Sequence, residues 1–163
     1  MKIRAEKRAD FELVEAVIED AFAPMPFASG TEAQIVTALR EAEAVTVGLV
    51  ADDDGEIVGQ VTFSPVTIDG LPSDWHALGP VAVAPGRQGE GIGEALVSEG
   101  LKRLRALGSA GCVLTGSAYY RRFGFDNSMT MWVEGYPPED FLVLPFGEEA
   151  EGVVAFHPAF GEP

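Results

Sequence analysis

Cysteine is nearly missing from this chain of 163 residues; Cys112 is the only one. An internal disulfide is therefore excluded. Because it stands in the apolar run Cys112-Val113-Leu114-Thr115, Cys112 reads as a small buried side chain rather than an activated nucleophile. Basic residues are also scarce, 11 Lys and Arg against 26 Asp and Glu, giving a formal net charge of −15. Sequence-independent nucleic-acid binding needs clustered Lys and Arg, so no nucleic-acid partner is expected. The acidity reads first as a solubility feature and second as a field that draws in cationic amines. No apolar run reaches membrane-spanning length, so no membrane partner is expected. The charged start Met1-Lys2-Ile3-Arg4-Ala5-Glu6-Lys7-Arg8 has no hydrophobic segment after it. No secretory signal is visible there, and a cytoplasmic location follows by default. No Cys/His cluster supports a metal site, and no Gly-x-Ser-x-Gly supports a hydrolase.

What is present is an apolar fraction of 47%, enough for a globular core, and a length that suits one domain over residues 1–163. The stretch from Val81 to Leu96 organises the chain. Val81-Ala82-Val83 reads as a buried strand and Pro85 to Gly91 as a glycine-rich turn. An amphipathic helix follows, with apolar residues at Ile92, Leu96, Val97, Leu101 and Leu104. Gly89, Gly91 and Gly93 fall where that helix should begin. A backbone without Cβ atoms at a helix N-terminus presents unpaired N–H groups and a partial positive charge, which is a cradle for an anion. A Walker-type loop needs Gly-Lys-Ser/Thr, and no Lys follows these glycines. A dinucleotide fingerprint needs an acidic residue at the end of the next strand, roughly 20 residues on, and that strand ends in Thr115-Gly116-Ser117.

The rest alternates helical and strand patterns. Ile3 to Ala5 is a first strand, and Asp10 is a predicted N-cap for a helix with its apolar face at Phe11, Val14, Val17, Ile18 and Phe22. The proline-bearing segment holding Met25 and Phe27 either lines a pocket or covers the core. Thr31 opens a second helix through Ile35 and Leu39. Val45 to Ala51 and Ile57 to Phe63 form a hairpin around Asp52-Asp53-Asp54-Gly55, whose aspartates lack the further ligands of a calcium loop. An irregularity is expected at Ser64-Pro65, a turn at Asp69-Gly70, and a strand over Ala77 to Val83 interrupted by Gly79-Pro80, since proline removes a ladder donor. Gly108 ends the long helix. Thr130 to Val133, Phe141 to Leu144 and Val153 to Phe156 are three further strands expected to complete the same sheet.

Gln88-x-x-Gly91-x-Gly93 after a Val-Ala-Val strand resembles the pyrophosphate-binding motif of the GNAT superfamily of N-acetyltransferases. Tyr119-Tyr120-Arg121-Arg122-Phe123-Gly124-Phe125 resembles its second signature region, with Tyr120 in the tyrosine position, and is most similar to the YhbS-like subgroup. That subgroup often carries Asp or His just after the glycine matching Gly116, where this chain has Ser117-Ala118. The resemblance covers about Leu78 to Phe125. It implies an α/β (α+β) fold with a central mixed, mainly antiparallel sheet and helices on both faces. It also implies acetyl-CoA as co-substrate, direct transfer to a primary amine in a ternary complex, and a bulged strand with free main-chain groups near Val81 and Val83.

On that basis the expected cofactor contacts are Val81, Ala82, Val83, Gln88, Gly89, Glu90, Gly91, Ile92, Gly93, Glu94 and Tyr120. Acetyl transfer from a thioester needs a neutral amine, a polarised carbonyl and a proton for the leaving thiolate. An N–H at Val83 suits the carbonyl. Tyr120 is the expected general acid, because a phenol of pKa about 10 is protonated at neutral pH. For a base, residues 77 to 83 hold no carboxylate. His76, with Asp74 beside it, is the expected catalytic partner, while Glu32 facing the acceptor or a water chain are alternatives. His157 reads as structural. The acceptor, a small-molecule or peptide amine, is not legible. Homodimers are common in the family, though no residue here specifies one. A CoA-binding regulatory protein that has lost transfer is the alternative reading.

Overall fold

Two tight turns set the frame of the sheet. In the computed structural model, which describes residues 1–25 and 30–161, Asp54 and Gly55 have φ of 52° and 93°, and Asp69 and Gly70 of 53° and 77°. This left-handed pair is what a two-residue type I′ hairpin requires. The turns join β2 (Val47–Asp53), β3 (Glu56–Ile68) and β4 (Leu71–Val83) into an antiparallel meander. The predicted strand at Ala77 thus begins six residues earlier, at Leu71. The irregularity expected at Ser64-Pro65 shifts the register between Pro65 and Thr67 without ending β3.

With β1 (Lys2–Ala5), β5 (Gly111–Thr115) and β7 (Phe141–Pro145), these strands run in the order β1-β2-β3-β4-β5-β7. β6 (Met131–Val133) pairs in parallel with β8 (Gly152–Ala155), which attaches to the far end of β3. The eight strands form one mixed sheet, parallel at β4–β5 and β6–β8 and antiparallel elsewhere, so the three C-terminal strands do complete it.

Helices cover both faces. α3 (Ile92–Ala106) lies over a core of Val61, Phe63, Leu96, Leu104 and Leu114. α1 (Phe11–Phe22) and α2 (Glu32–Glu41) cover the other face over Val14, Ile18, Val36, Val50 and Ala82. Phe63 is fully buried, worth about 2–3 kcal/mol. A Cβ at Gly100 of α3 would come within 2.1 Å of its ring, so the absence of a side chain there sets the helix-to-sheet distance. α3 ends as expected at Gly108, φ 88°. The N–H of Gly108 donates to Arg105 O and that of Ser109 to Leu104 O, the Schellman closure.

Asp10 does not cap α1. Its carboxylate takes Arg4 Nη1 and Nη2 at 2.7 and 2.9 Å and the Lys7 N–H at 2.7 Å, so it locks the β1–α1 corner. The guanidinium and that N–H hold its pKa down to about 2. Arg4 also donates to Asp52 Oδ2 at 3.0 Å, tying the corner to β2. Among the described residues no helix is long and apolar enough to cross a membrane, and no three His, Cys, Asp or Glu are grouped to hold a metal.

Candidate active site

The site is built around the C-terminal half of β4. Val61 faces Val81 but Phe63 faces Leu78, so Gly79-Pro80 form a bulge opposite Thr62. Buried Gln60 braces it: Nε2 donates to Pro80 O at 3.0 Å, and Oε1 accepts from Thr62 Oγ1 at 3.1 Å. β5 pairs with β4 only from Trp75 to Ala77; beyond that the two strands part. The Ala84 N–H bonds to Val58 O, and Ala82 pairs with Gln60. Antiparallel alternation then turns the N–H and C=O of Val81 and Val83 away from β3, into the opening. Here the expected bulge and its exposed main chain are both present.

Facing these groups is the glycine turn. Gly89 and Gly91 both have φ of 83°, the left-handed region that a residue with Cβ rarely adopts, and Gly91 is the N-cap of α3. The first N–H groups of α3 have no intrahelical acceptor, so the turn offers donors and the positive end of a 15-residue helix. A cavity of about 690 Å³ lies between, lined by Val81, Ala82 and Val83 on one side. Gln88, Gly89, Gly91, Ile92, Gly93 and Glu94 line the other. Gln88 Nε2 donates to Val83 O at 3.2 Å and so spans the turn and the strand.

Of the expected contacts, Glu90 and Tyr120 are outside this lining. Glu90 turns to Arg87 Nε at 3.1 Å, while Arg87 Nη1 also reaches Asp53 at 2.8 Å. The tyrosine in the lining is Tyr119, whose ring carries the Arg122 guanidinium 4.0 Å from its centroid. Arg87 and Arg122 line the cavity too, as do Ala21 and Phe22 from the end of α1 and Met25 just beyond it. Met25 thus lines a pocket; Phe27 lies outside the described residues. Arg87 directly precedes the motif, and a rare cation beside an anion cradle is a signal that could have found it. Tyr119 and Arg122 escape sequence reasoning because the family pattern points to the next tyrosine.

Tyr120 packs edge-on to Tyr119 at 5.1 Å and to Phe125 at 6.4 Å. Its ring crosses the end of β5, 3.5 Å from where a Gly116 Cβ would sit. Burial pushes its phenol pKa up, with Tyr119 adding to the shift, so the group holds its proton at neutral pH.

A second cavity of about 590 Å³ opens on the other side of the splay, against Ala77 to Pro80 of β4 and Thr115 of β5. Phe22 lines both cavities. Glu32 and Ile35 of α2 and the C-terminal aromatics Tyr136, Phe156 and Phe160 complete its wall. Tyr120 lines neither cavity: it packs on Tyr119 of the first and over Gly116, the residue that follows Thr115 of the second.

His76 is not brought to either lining. Its register partner on β5 is Cys112, which belongs to the core under α3, so the ring turns towards the C-terminal end of that helix. There Nδ1 meets Ser109 Oγ at 2.7 Å. Burial lowers its pKa against the smaller opposing pull of Asp74. Cys112 is fully buried and its thiol is pushed far up, which leaves it inert as a nucleophile. His157 accepts the Ala159 N–H at 3.0 Å and caps the C-terminal 3₁₀ turn, a structural role.

The profile of the Acetyltransferase (GNAT) family matches residues 12–125. The chain belongs to the GNAT family. Among GNAT relatives, the N-acetyltransferase YhbS of Escherichia coli (strain K12) is 40% identical over 128 residues, 77% of this chain and 74% of that protein. A GNAT family acetyltransferase from Brucella melitensis, solved in complex with acetyl-CoA, has a TM-score of 0.88 and 45% identity. That match covers 98% of this chain and 97% of that one. The structure of YhbS from Escherichia coli in complex with CoA has a TM-score of 0.90 at 33% identity, over 99% and 92%. The GNAT fold accounts for the mixed sheet, its bulged fourth strand and the helices on both faces.

Proposed function

We propose that this N-acetyltransferase holds acetyl-CoA in the cavity between β4 and the glycine turn and transfers its acetyl group to an amine entering from the second cavity. One observation carries the reading: outward-turned main-chain groups of Val81 and Val83 face the donor-rich turn at Gly89 to Gly93 across a space open to a ligand. The diphosphate takes the N–H groups at the start of α3; Arg87, itself paired with Asp53 and Glu90, and Arg122 offer guanidinium donors at the mouth. The pantetheine arm pairs with β4 as a strand would.

In the transfer step the neutral amine nitrogen attacks the thioester carbon and the Val83 N–H stabilises the developing oxyanion. The C–S bond then breaks as Tyr120 gives its proton to the thiolate, and the proton still carried by the cationic nitrogen of the new amide returns to the Tyr120 phenolate. The proton lost by the ammonium leaves to Glu32 or through water to solvent. His76 has no part in this step, because its ring is held at Ser109. A cytoplasmic location stays an expectation, checked by cell fractionation. The whole chain is taken as one acting domain; a homodimer stays an expectation from the family, checked by light scattering.

Thiol release with a panel of amines tests the proposal. Release lost in Tyr120→Phe with CoA binding retained supports it; CoA binding unaffected by substitution of Gly91 and Gly93 together overturns it.

A further inference from the structure

We infer that Glu90 is a built-in competitor of the coenzyme: its carboxylate occupies the edge of the Arg87 guanidinium that a phosphate of CoA takes. Binding then proceeds by exchanging one anion for another, and CoA is held less tightly than the cradle alone allows. This rests on the acetyl-transfer reading above and adds to it a residue that sets the affinity for the coenzyme. Glu90 acts through Arg87, so its role is one of positioning.

The two carboxylates on Arg87 hold it in different ways. Nη1 donates to Asp53 Oδ2 at 2.8 Å, and Asp53 is fixed in the sheet as the last residue of β2, opposite Glu56. Nε alone serves Glu90, at 3.1 and 3.2 Å to the two carboxylate oxygens. Among the described residues Nη2 makes no hydrogen bond. A guanidinium binds an oxyanion best through two parallel N–H groups. Glu90 uses one of them and leaves the adjacent Nη2 open. Two phosphate oxygens can take both, while Asp53 keeps Arg87 at the mouth of the cavity.

The setting favours the exchange. Arg87 lines the cavity beside Gly89 and Gly91, while Glu90, between those glycines, does not. The Glu90 side chain is 46% exposed, so once released its carboxylate is taken up by water at little cost. A carboxylate between the two left-handed glycines of an anion cradle has the wrong sign for that place. Its pairing accounts for it, because the pair keeps the guanidinium oriented until the phosphate arrives. The other cation in the lining is arranged otherwise. Arg122 spends Nε on Tyr119 O at 3.2 Å, and its Nη1 stands 3.7 Å from Glu94, too far for a hydrogen bond. Glu94 lines the cavity itself. It therefore puts the same charge on the cavity wall without occupying a guanidinium edge, which makes it the control.

Calorimetric titration with CoA tests the inference. Glu90→Gln should tighten CoA about three- to fivefold. Glu94→Gln should tighten it by less, and Arg87→Gln should weaken it about tenfold. In the Arg87→Gln background the gain from Glu90→Gln should shrink to less than about twofold. No gain from Glu90→Gln overturns the competition. A gain as large from Glu94→Gln, or one undiminished without the Arg87 side chain, assigns the effect to plain charge repulsion and overturns it too. A crystal structure with CoA bound in which Arg87 Nε still holds Glu90 does the same. In each of these cases CoA binds, and the acetyl-transfer reading stands. If CoA fails to bind the parent protein, that reading falls and takes this inference with it.

Discussion

The two cavities flanking β4 are made of different material. The one beside the glycine turn is crossed by a continuous stretch of chain, Val81 to Val83 facing a turn that lines it with Gln88, Gly89, Gly91 and Gly93, with Phe22, Met25, Tyr119 and Arg122 around them. The other draws on positions far apart in the chain, from α1, α2, β4, β5 and the C-terminal segment. A main-chain site recognises what is common to its ligands, a diphosphate and an extended amide chain, and its residues must follow one another closely. A side-chain site recognises what differs between ligands and can be assembled from positions far apart. The contrast separates a co-substrate shared by a family from an acceptor peculiar to each member.

The first way to break this contrast is at Tyr120, which packs on Tyr119 of the first cavity and beside the end of β5. Tyr120→Phe should lower kcat by about 10²–10³-fold with CoA affinity unchanged, seen by steady-state kinetics and calorimetry. An equal loss of affinity would assign Tyr120 to one cavity only.

Next comes the main-chain side. Gly91→Ala forces a Cβ onto a residue at φ 83° and points it into open space where the ligand approaches. CoA affinity should fall about 100-fold by calorimetry. Gly93→Ala meets only Val83 Cγ2 at an ordinary 3.5 Å and should fold normally.

The brace between the two sides is Gln60. Gln60→Leu removes the donor to Pro80 O and leaves buried Thr62 without its acceptor, costing about 2 kcal/mol in denaturant unfolding. If the bulge geometry serves the carbonyl of the thioester, kcat should fall by more than CoA affinity does.

The smallest effect lies remote from both cavities. Asp10 has its pKa depressed to about 2, through Arg4 first and the Lys7 N–H besides. A depressed carboxylate contributes stability above its unfolded pKa of 3.8 and loses it as pH falls towards 2. Between pH 5 and pH 2.5 the parent protein should therefore lose about 1–2 kcal/mol more than Asp10→Asn, by thermal or urea unfolding. Turnover at neutral pH should be unchanged.

The legibility of the sequence follows the same division. The cradle is readable because Val81 to Gly93 is one continuous stretch whose glycines and apolar spacing each have a local cause. The hairpin turns are readable for that reason as well, since Asp54-Gly55 and Asp69-Gly70 carry their own backbone preference. Asp10 reads as a cap, wrongly, because a nearby arginine, Arg4, competes for its carboxylate across a corner that spacing does not reveal. His76 is misplaced by its spacing because its side of the sheet depends on the pairing with Cys112, which alternation within β4 alone does not fix. Glu32 can be picked out as acceptor-facing from its place at the start of α2, yet nothing local marks Tyr136, Phe156 and Phe160. They converge only after β6 and β8 have folded back on β3.

The parting of β4 from β5 after Ala77 leaves the edge of β4 from Leu78 to Val83 without a strand partner on that side, its first half walling one cavity and its second half the other. A single conjugate, coenzyme A tethered through an acetyl bridge to an acceptor amine, could lie along the whole of it. Once the coenzyme end is seated, the other end is delivered at an effective concentration of the order of millimolar. Such a conjugate should outcompete both parent molecules, and the length of its tether becomes a ruler for the gap at Pro80.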